Sequence, residues 1–235
     1  MSILWAPLVA AQDVWLLLSP DERRRHERYL RPHDQDRFAS GRALARLALA
    51  ALTGQHPAAV QLLAECRRCG GAHGQLRVAG KPSTRISLSR AGERVLFGYA
   101  DTISIGVDVE LVSGTGFDGF DGVVLAPVEH AEDAAQRAVI WTRKEAVLKA
   151  SGWGLTIPPD QLQVSAPTAP AALHGWLAHE PSPGPVQLID LAAPPGYRAA
   201  LAALTDRQPR LRVLDGEQLF RTWAGSAGPD RTARR

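Results

Sequence analysis

The chain has 235 residues, 45% of them hydrophobic, enough for a substantial core in one domain or in two small fused ones. A formal charge of +3 and a pI near 9.2 do not by themselves point to nucleic acid, and no apolar run approaches the roughly 20 residues that span a bilayer. The start, Met1-Ser2-Ile3-Leu4-Trp5-Ala6-Pro7, lacks a cationic stretch followed by a long apolar one, so a cytoplasmic protein without a signal peptide is expected.

Taken in chain order, residues 19 to 52 read as helical, opening at Ser19-Pro20-Asp21-Glu22, where Ser caps, Pro takes the first turn and acids meet the positive helix end. Pro32 breaks the run. A second helix is expected from about Asp34, with Phe38, Leu44, Leu47, Ala48 and Ala51 on its apolar side and Thr53-Gly54 as its stop. Short strands are expected at 60–63, 76–78, 86–89 and 95–100, among Gly and Pro turns. Between them, Cys66 and Cys69 with His73 have a zinc-like spacing, but a structural site needs four ligands and no fourth is evident, so a loop with two reduced thiols is expected.

From Ile103 the pattern alternates, so Ile105, Val107 and Val109 share one strand face while Asp108 and Glu110 share the other, about 7 Å apart. Two carboxylates so placed repel, and are tolerable in water or useful around a cation. Then comes a helix, Trp141-Thr142-Arg143-Lys144-Glu145-Ala146-Val147-Leu148-Lys149, with Ser151-Gly152 as its stop. Trp141, Glu145 and Lys149 step by four and share a face. Only Lys81, Lys144 and Lys149 are lysines, the other 24 cations being arginines; a lysine kept in such a chain suits a site needing a slim point charge. Carboxylates beside a lysine suggest metal-assisted phosphate chemistry. Strands are expected near 161–165, 173–178, 186–191 and 197–204, and residues 225–235 have no apolar anchor and read as a disordered tail.

Gly106-Val107-Asp108-Val109-Glu110, followed at this distance by Trp141-Thr142-Arg143-Lys144-Glu145-Ala146-Val147-Leu148-Lys149-Ala150, resembles the Sfp-type 4′-phosphopantetheinyl transferases. Asp36 to Arg46 resembles that family's arginine-bearing helix, Ile86 to Gly92 its strand ending in Ser-His-Ser, and Pro195 to Ala202 its closing hairpin, so the similarity covers roughly residues 13 to 204. The resemblance implies an α+β pseudodimer of two similar subdomains, 1–102 and 103–224, with the active site between them. It implies transfer of the phosphopantetheine arm of coenzyme A to a serine of an apo acyl or peptidyl carrier protein, with Mg²⁺, or alternatively Mn²⁺, as the ion. The enzyme is expected to be a monomer with no nucleic-acid or membrane partner.

By the same resemblance Asp108, Glu110 and Glu145 bind the metal, Glu145 also accepts the serine proton, and Lys144 and Lys149 hold phosphates. Arg37, Arg42, Lys81, Ser89 and Arg90 are the further coenzyme A contacts. Two departures stand out. The family's Gly-Lys-Pro is here Gly74-Gln75-Leu76, with Gly80-Lys81-Pro82 further on, so either Lys81 serves or that phosphate contact has moved. The Ser-His-Ser is Ser89-Arg90-Ala91, where Arg keeps a cation with longer reach. These changes motivate an alternative, a degenerate non-catalytic binder of coenzyme A or carrier protein.

Overall fold

The computed structural model describes residues 1–64, 70–71 and 74–226. The pair Cys66 and Cys69, with His73, lies outside the described residues, as do residues 227–235 of the expected tail.

Strand β1 (Ser2–Pro7) and a 3₁₀ segment (Ala11–Leu17) lead to α1 (Pro20–His26) and α2 (Pro32–Thr53). The expected cap forms in full: Ser19 Oγ accepts from the Glu22 amide at 3.3 Å, and Glu22 Oε2 accepts from the Ser19 amide at 2.9 Å. Pro32 starts α2 two residues before the expected Asp34, because a proline at the first helical position has no N–H to lose. The chain continues through β2 (Leu62–Leu63), β3 (Arg77–Val78), β4 (Thr84–Ala91), β5 (Arg94–Asp101) and β6 (Ile105–Leu111). Next come α3 (Phe120–Val124), α4 (Ala134–Ser151), β7 (Leu162–Val164), β8 (Leu173–Trp176), β9 (Val186–Asp190) and β10 (Tyr197–Leu204). Strand β11 (Arg212–Asp215) and α5 (Gly216–Ser226) close it, so Gly225 and Ser226 are helical where a tail was expected.

Six strands form one sheet in the order β11-β1-β5-β4-β3-β2, and three form another, β6-β10-β9, with a β7-β8 pair beside it. Helix α2 packs on the first sheet, joining Ala43, Leu44 and Leu47 to Leu4, Ile86, Val95 and Phe97. The opposite face of that sheet meets the second, where Ile3, Leu96 and Ala100 pack on Ile105, Val107, Val109 and Leu201. Helix α4 covers the far side through Ala146, Val147 and Ala150 on Ala200 and Ala202. The result is a mixed α+β fold layered helix, sheet, sheet, helix.

Strand β11 runs parallel to β1, and α5 puts Phe220 into the core around α2. The end of the chain thus completes the sheet that the first hundred residues begin, although residues 103–224 were expected to form the other subdomain.

Candidate active site

The carboxylates gather where β6 meets α4. Gly106 permits the close approach, since a methyl there would overlap the Ala146 carbonyl oxygen and the Ala150 amide. Two residues along the same strand face, Asp108 meets the last turns of α4. Lys149 Nζ donates to Asp108 Oδ1 at 2.6 Å, Ser89 Oγ donates to the same oxygen at 2.7 Å, and Lys149 Nζ also reaches Ser89 Oγ at 3.1 Å. Gln75 anchors the helix end, its side-chain amide donating to the Lys149 carbonyl at 3.0 Å.

Two carboxylate oxygens here are buried without a hydrogen-bond partner, Asp108 Oδ2 and Glu145 Oε1. Burial pushes the Glu145 carboxyl up to about 7; Lys149 opposes the rise, while Asp108 and Glu110 add to it. Burial also raises Glu110, against the hydrogen bond its Oε1 accepts from the Leu111 amide at 2.8 Å. Three acids therefore share one field, and one lysine partly balances them.

Strand alternation sends Ser89 and Arg90 to opposite faces of β4. Ser89 meets the acids, while Arg90 lies over Gly41 of α2, where a methyl would sit 2.8 Å from its Cδ. Its Nη1 donates to the Arg37 carbonyl at 3.4 Å. The guanidinium groups of Arg25, Arg42 and Arg90 stand 5.5, 5.5 and 5.7 Å from the centre of the Phe38 ring. Burial lowers the Arg42 pKa to about 10, opposed by Glu22 and reinforced by Arg90, Arg25 and Arg46. Burial lowers Arg90 too; Tyr29 opposes this, and Arg25 and Arg37 add to it. Such crowding of like charge favours an anion. Arg46 is committed elsewhere, paired with Glu22 at 2.8 Å and bonded to the Val60 carbonyl. Arg37 pairs with Asp34 and donates to the Gly92 carbonyl at the strand end.

Two expected contacts are not brought to this place. Lys81 sits in the exposed turn before β4, and Thr84 to Ser89 alone is about 17 Å of strand. Lys144 is fully buried on another face of α4, bonded to the Val124 carbonyl at 2.6 Å and to Glu129. Burial lowers its pKa and Glu129 opposes this, so it is a core ammonium and not a phosphate ligand facing solvent. Sequence reasoning named Gln75 only as the departure from Gly-Lys-Pro and did not place it at the end of α4. It missed Glu129 and the role of Gly106, and of these two Gly106 left a signal, a glycine inside an apolar strand pattern.

The two unpartnered oxygens suit a hard cation, because a buried oxygen left without a donor costs about 1–3 kcal/mol, more when charged. Among the described residues no three His, Cys, Asp or Glu side chains gather closely enough to cage an ion alone. No described helix is long and apolar enough to cross a membrane. No curated protein matches the chain. Residues 104–202, which carry β6, α4 and nearly all of β10, match the family model of the 4′-phosphopantetheinyl transferase superfamily, and this supports a transferase of phosphopantetheine in general terms.

Proposed function

We propose that the protein is a 4′-phosphopantetheinyl transferase of the Sfp type, moving the phosphopantetheine arm of coenzyme A onto a serine of an apo acyl or peptidyl carrier protein. The observation that carries this reading is the pair of unpartnered buried oxygens, Asp108 Oδ2 and Glu145 Oε1, beside Lys149 in a segment that matches the superfamily. Asp108 and Glu145 would hold Mg²⁺, or alternatively Mn²⁺, with Glu110 at the border of the site. Bound there, the ion would supply Lewis-acid neutralisation of the diphosphate's charge.

The remaining steps fall to side chains. Lys149 meets a phosphate oxygen with its ammonium, and Ser89 steadies both Lys149 and Asp108. Arg37, Arg42 and Arg90, with Arg25 beside them, receive the 3′-phosphate end. Glu145 takes the proton of the acceptor serine as that oxygen bonds to the phosphorus carrying the arm, and the P–O bond to the adenosine side breaks, releasing 3′,5′-ADP. The place of Glu145 beside Asp108 and Lys149 suits it to act as this base, help typically worth 10² to 10⁴ in rate.

The test is to incubate the protein with coenzyme A, Mg²⁺ and a panel of apo carriers. One carrier should gain the phosphopantetheine mass on its serine as an equal amount of 3′,5′-ADP appears. The reaction should stop in EDTA and return with Mg²⁺ but not with Ca²⁺, which is larger and holds oxygens less rigidly. Coenzyme A binding by calorimetry with no mass gain on any carrier would identify a binder instead.

A further inference from the structure

We propose that Glu129 and Lys144 are positioning residues for the acceptor protein: they fix the wall of residues 112–128 beside Glu145 and act on acceptor recognition, not on coenzyme A. This rests on the transferase reading above.

One carboxylate joins three parts of the fold. Glu129 pairs with Lys144 of α4, accepts from the Ala126 amide at 2.7 Å just beyond α3, and accepts from the Val164 amide at 2.7 Å in β7. Lys144 Nζ adds the Val124 carbonyl at the end of α3. Asp160 is the other carboxylate that acts on this ammonium. A buried ion pair is weak evidence for stability, and its best-attested use is to select one arrangement over its alternatives. The arrangement selected here is the wall. Phe120 of α3 lies 6.2 Å from Trp141, one turn before Glu145, and Phe117 stacks edge-on against Phe120 at 5.4 Å. A separate tether, Thr115 Oγ1 to the Ala134 carbonyl at 2.8 Å, ties the same wall to the start of α4.

The layering of the fold sets the side. The arginines that would receive the 3′-phosphate stand around Phe38 of α2, while the wall packs on Trp141 of α4, the opposite outer layer. In phosphoryl transfer the attacking and leaving oxygens are roughly in line. With the adenosine end held on the α2 side, the acceptor serine approaches from the α4 side, along the wall. Its outer surface exposes Phe117 and Val123, both more than half accessible.

Glu129→Gln and Lys144→Met are compared with the parent for the KM of carrier, the KM of coenzyme A, and hydrogen exchange of residues 112–128. The expected result is a carrier KM raised at least tenfold, a coenzyme A KM within threefold, and faster exchange confined to the wall. Thr115→Val cuts the other tether without stranding a charge, and should give the same split, more weakly, if the ion-pair variants do not fold. A raised coenzyme A KM with an unchanged carrier KM would overturn the proposal and return Lys144 to the phosphates. Equal loss on both substrates, or unchanged exchange in the wall, would overturn it as well. A parent that binds coenzyme A but modifies no carrier would refute the transferase reading, and exchange would then test the clamp separately.

Discussion

Ser89 and Arg90 are neighbours in sequence and serve opposite faces of one strand. The first steadies Asp108; the second joins the cations around Phe38. A charge-assisted Arg–phosphate contact is worth roughly 1.5 to 3 kcal/mol. If Arg90 reads the 3′-phosphate, Arg90→Ala raises the KM for coenzyme A by about ten- to a hundredfold and leaves that for dephospho-coenzyme A nearly unchanged. Kinetics of both proteins on both substrates form a double-mutant cycle, and equal losses on the two would remove the assignment. Glu145 makes a different claim, on stability. Its folded pKa, about 7, lies above the ordinary 4.5, so the native state holds a proton that the unfolded chain has lost across that window. The sign follows: stability from this group is present below pH 4.5 and is lost as pH rises through 7. Without metal, Glu145→Gln should therefore be more stable than the parent at pH 8, by up to about 3 kcal/mol, and melt later. The gap should close near pH 4, and Mg²⁺ should stabilise the parent more than the variant. A variant no more stable than the parent at pH 8 would contradict the buried, unpartnered state of this acid.

At the scale of elements, the contact of β6 with α4 decides whether a site exists. Gly106→Ala forces the helix backbone off the strand, and overpacking of this kind typically costs 1–3 kcal/mol, occasionally more. The variant should melt earlier and lose transfer even when folded, because Lys149 and Asp108 are presented by the two surfaces pushed apart. Thermal melts with activity assays on the folded fraction check this; a folded variant with parental turnover would show that the close approach is not needed. Both elements were legible in the sequence. The alternation of 105–110 and the steps of four at Trp141, Glu145 and Lys149 announce the faces they use. Strand β1 was not read, because it lies between β5 and β11 and Ile3, Leu4 and Ala6 are buried across both its faces, which erases alternation. The partner of Lys144 was equally invisible: Glu129 sits in a loop fifteen residues away, and only the folded path brings it under α4. Ser89 and Arg90 could have been separated by strand period alone, but a motif read as a unit placed them on one ligand.

For the whole molecule, sheet-on-sheet packing with a helix on each outer face brings a strand from the first half, β4, against β6 from the second. Ser87 Oγ accepts from the Val107 amide at 2.9 Å along this junction, and Ser89 reaches Asp108 across it. The site is thus made jointly by both halves, although its acids and its lysine come from residues 108–149. The α+β class came from the family resemblance, while the faces that carry the acids were legible from short-range periodicity. The return of β11 and α5 to the first sheet was not, since pairing between strands two hundred residues apart leaves no local trace. The central claim is that the cluster of Asp108, Glu145 and Lys149 transfers phosphopantetheine. Its most direct test is intact-mass spectrometry of an apo carrier after incubation with coenzyme A, Mg²⁺ and the parent, Asp108→Asn or Glu145→Gln. The account predicts full conversion of the carrier by the parent, at least a hundredfold slower conversion by Glu145→Gln, given the 10² to 10⁴ typical of general-base help, and loss of conversion by Asp108→Asn, which removes a metal ligand. Conversion by both variants at the parental rate would contradict it.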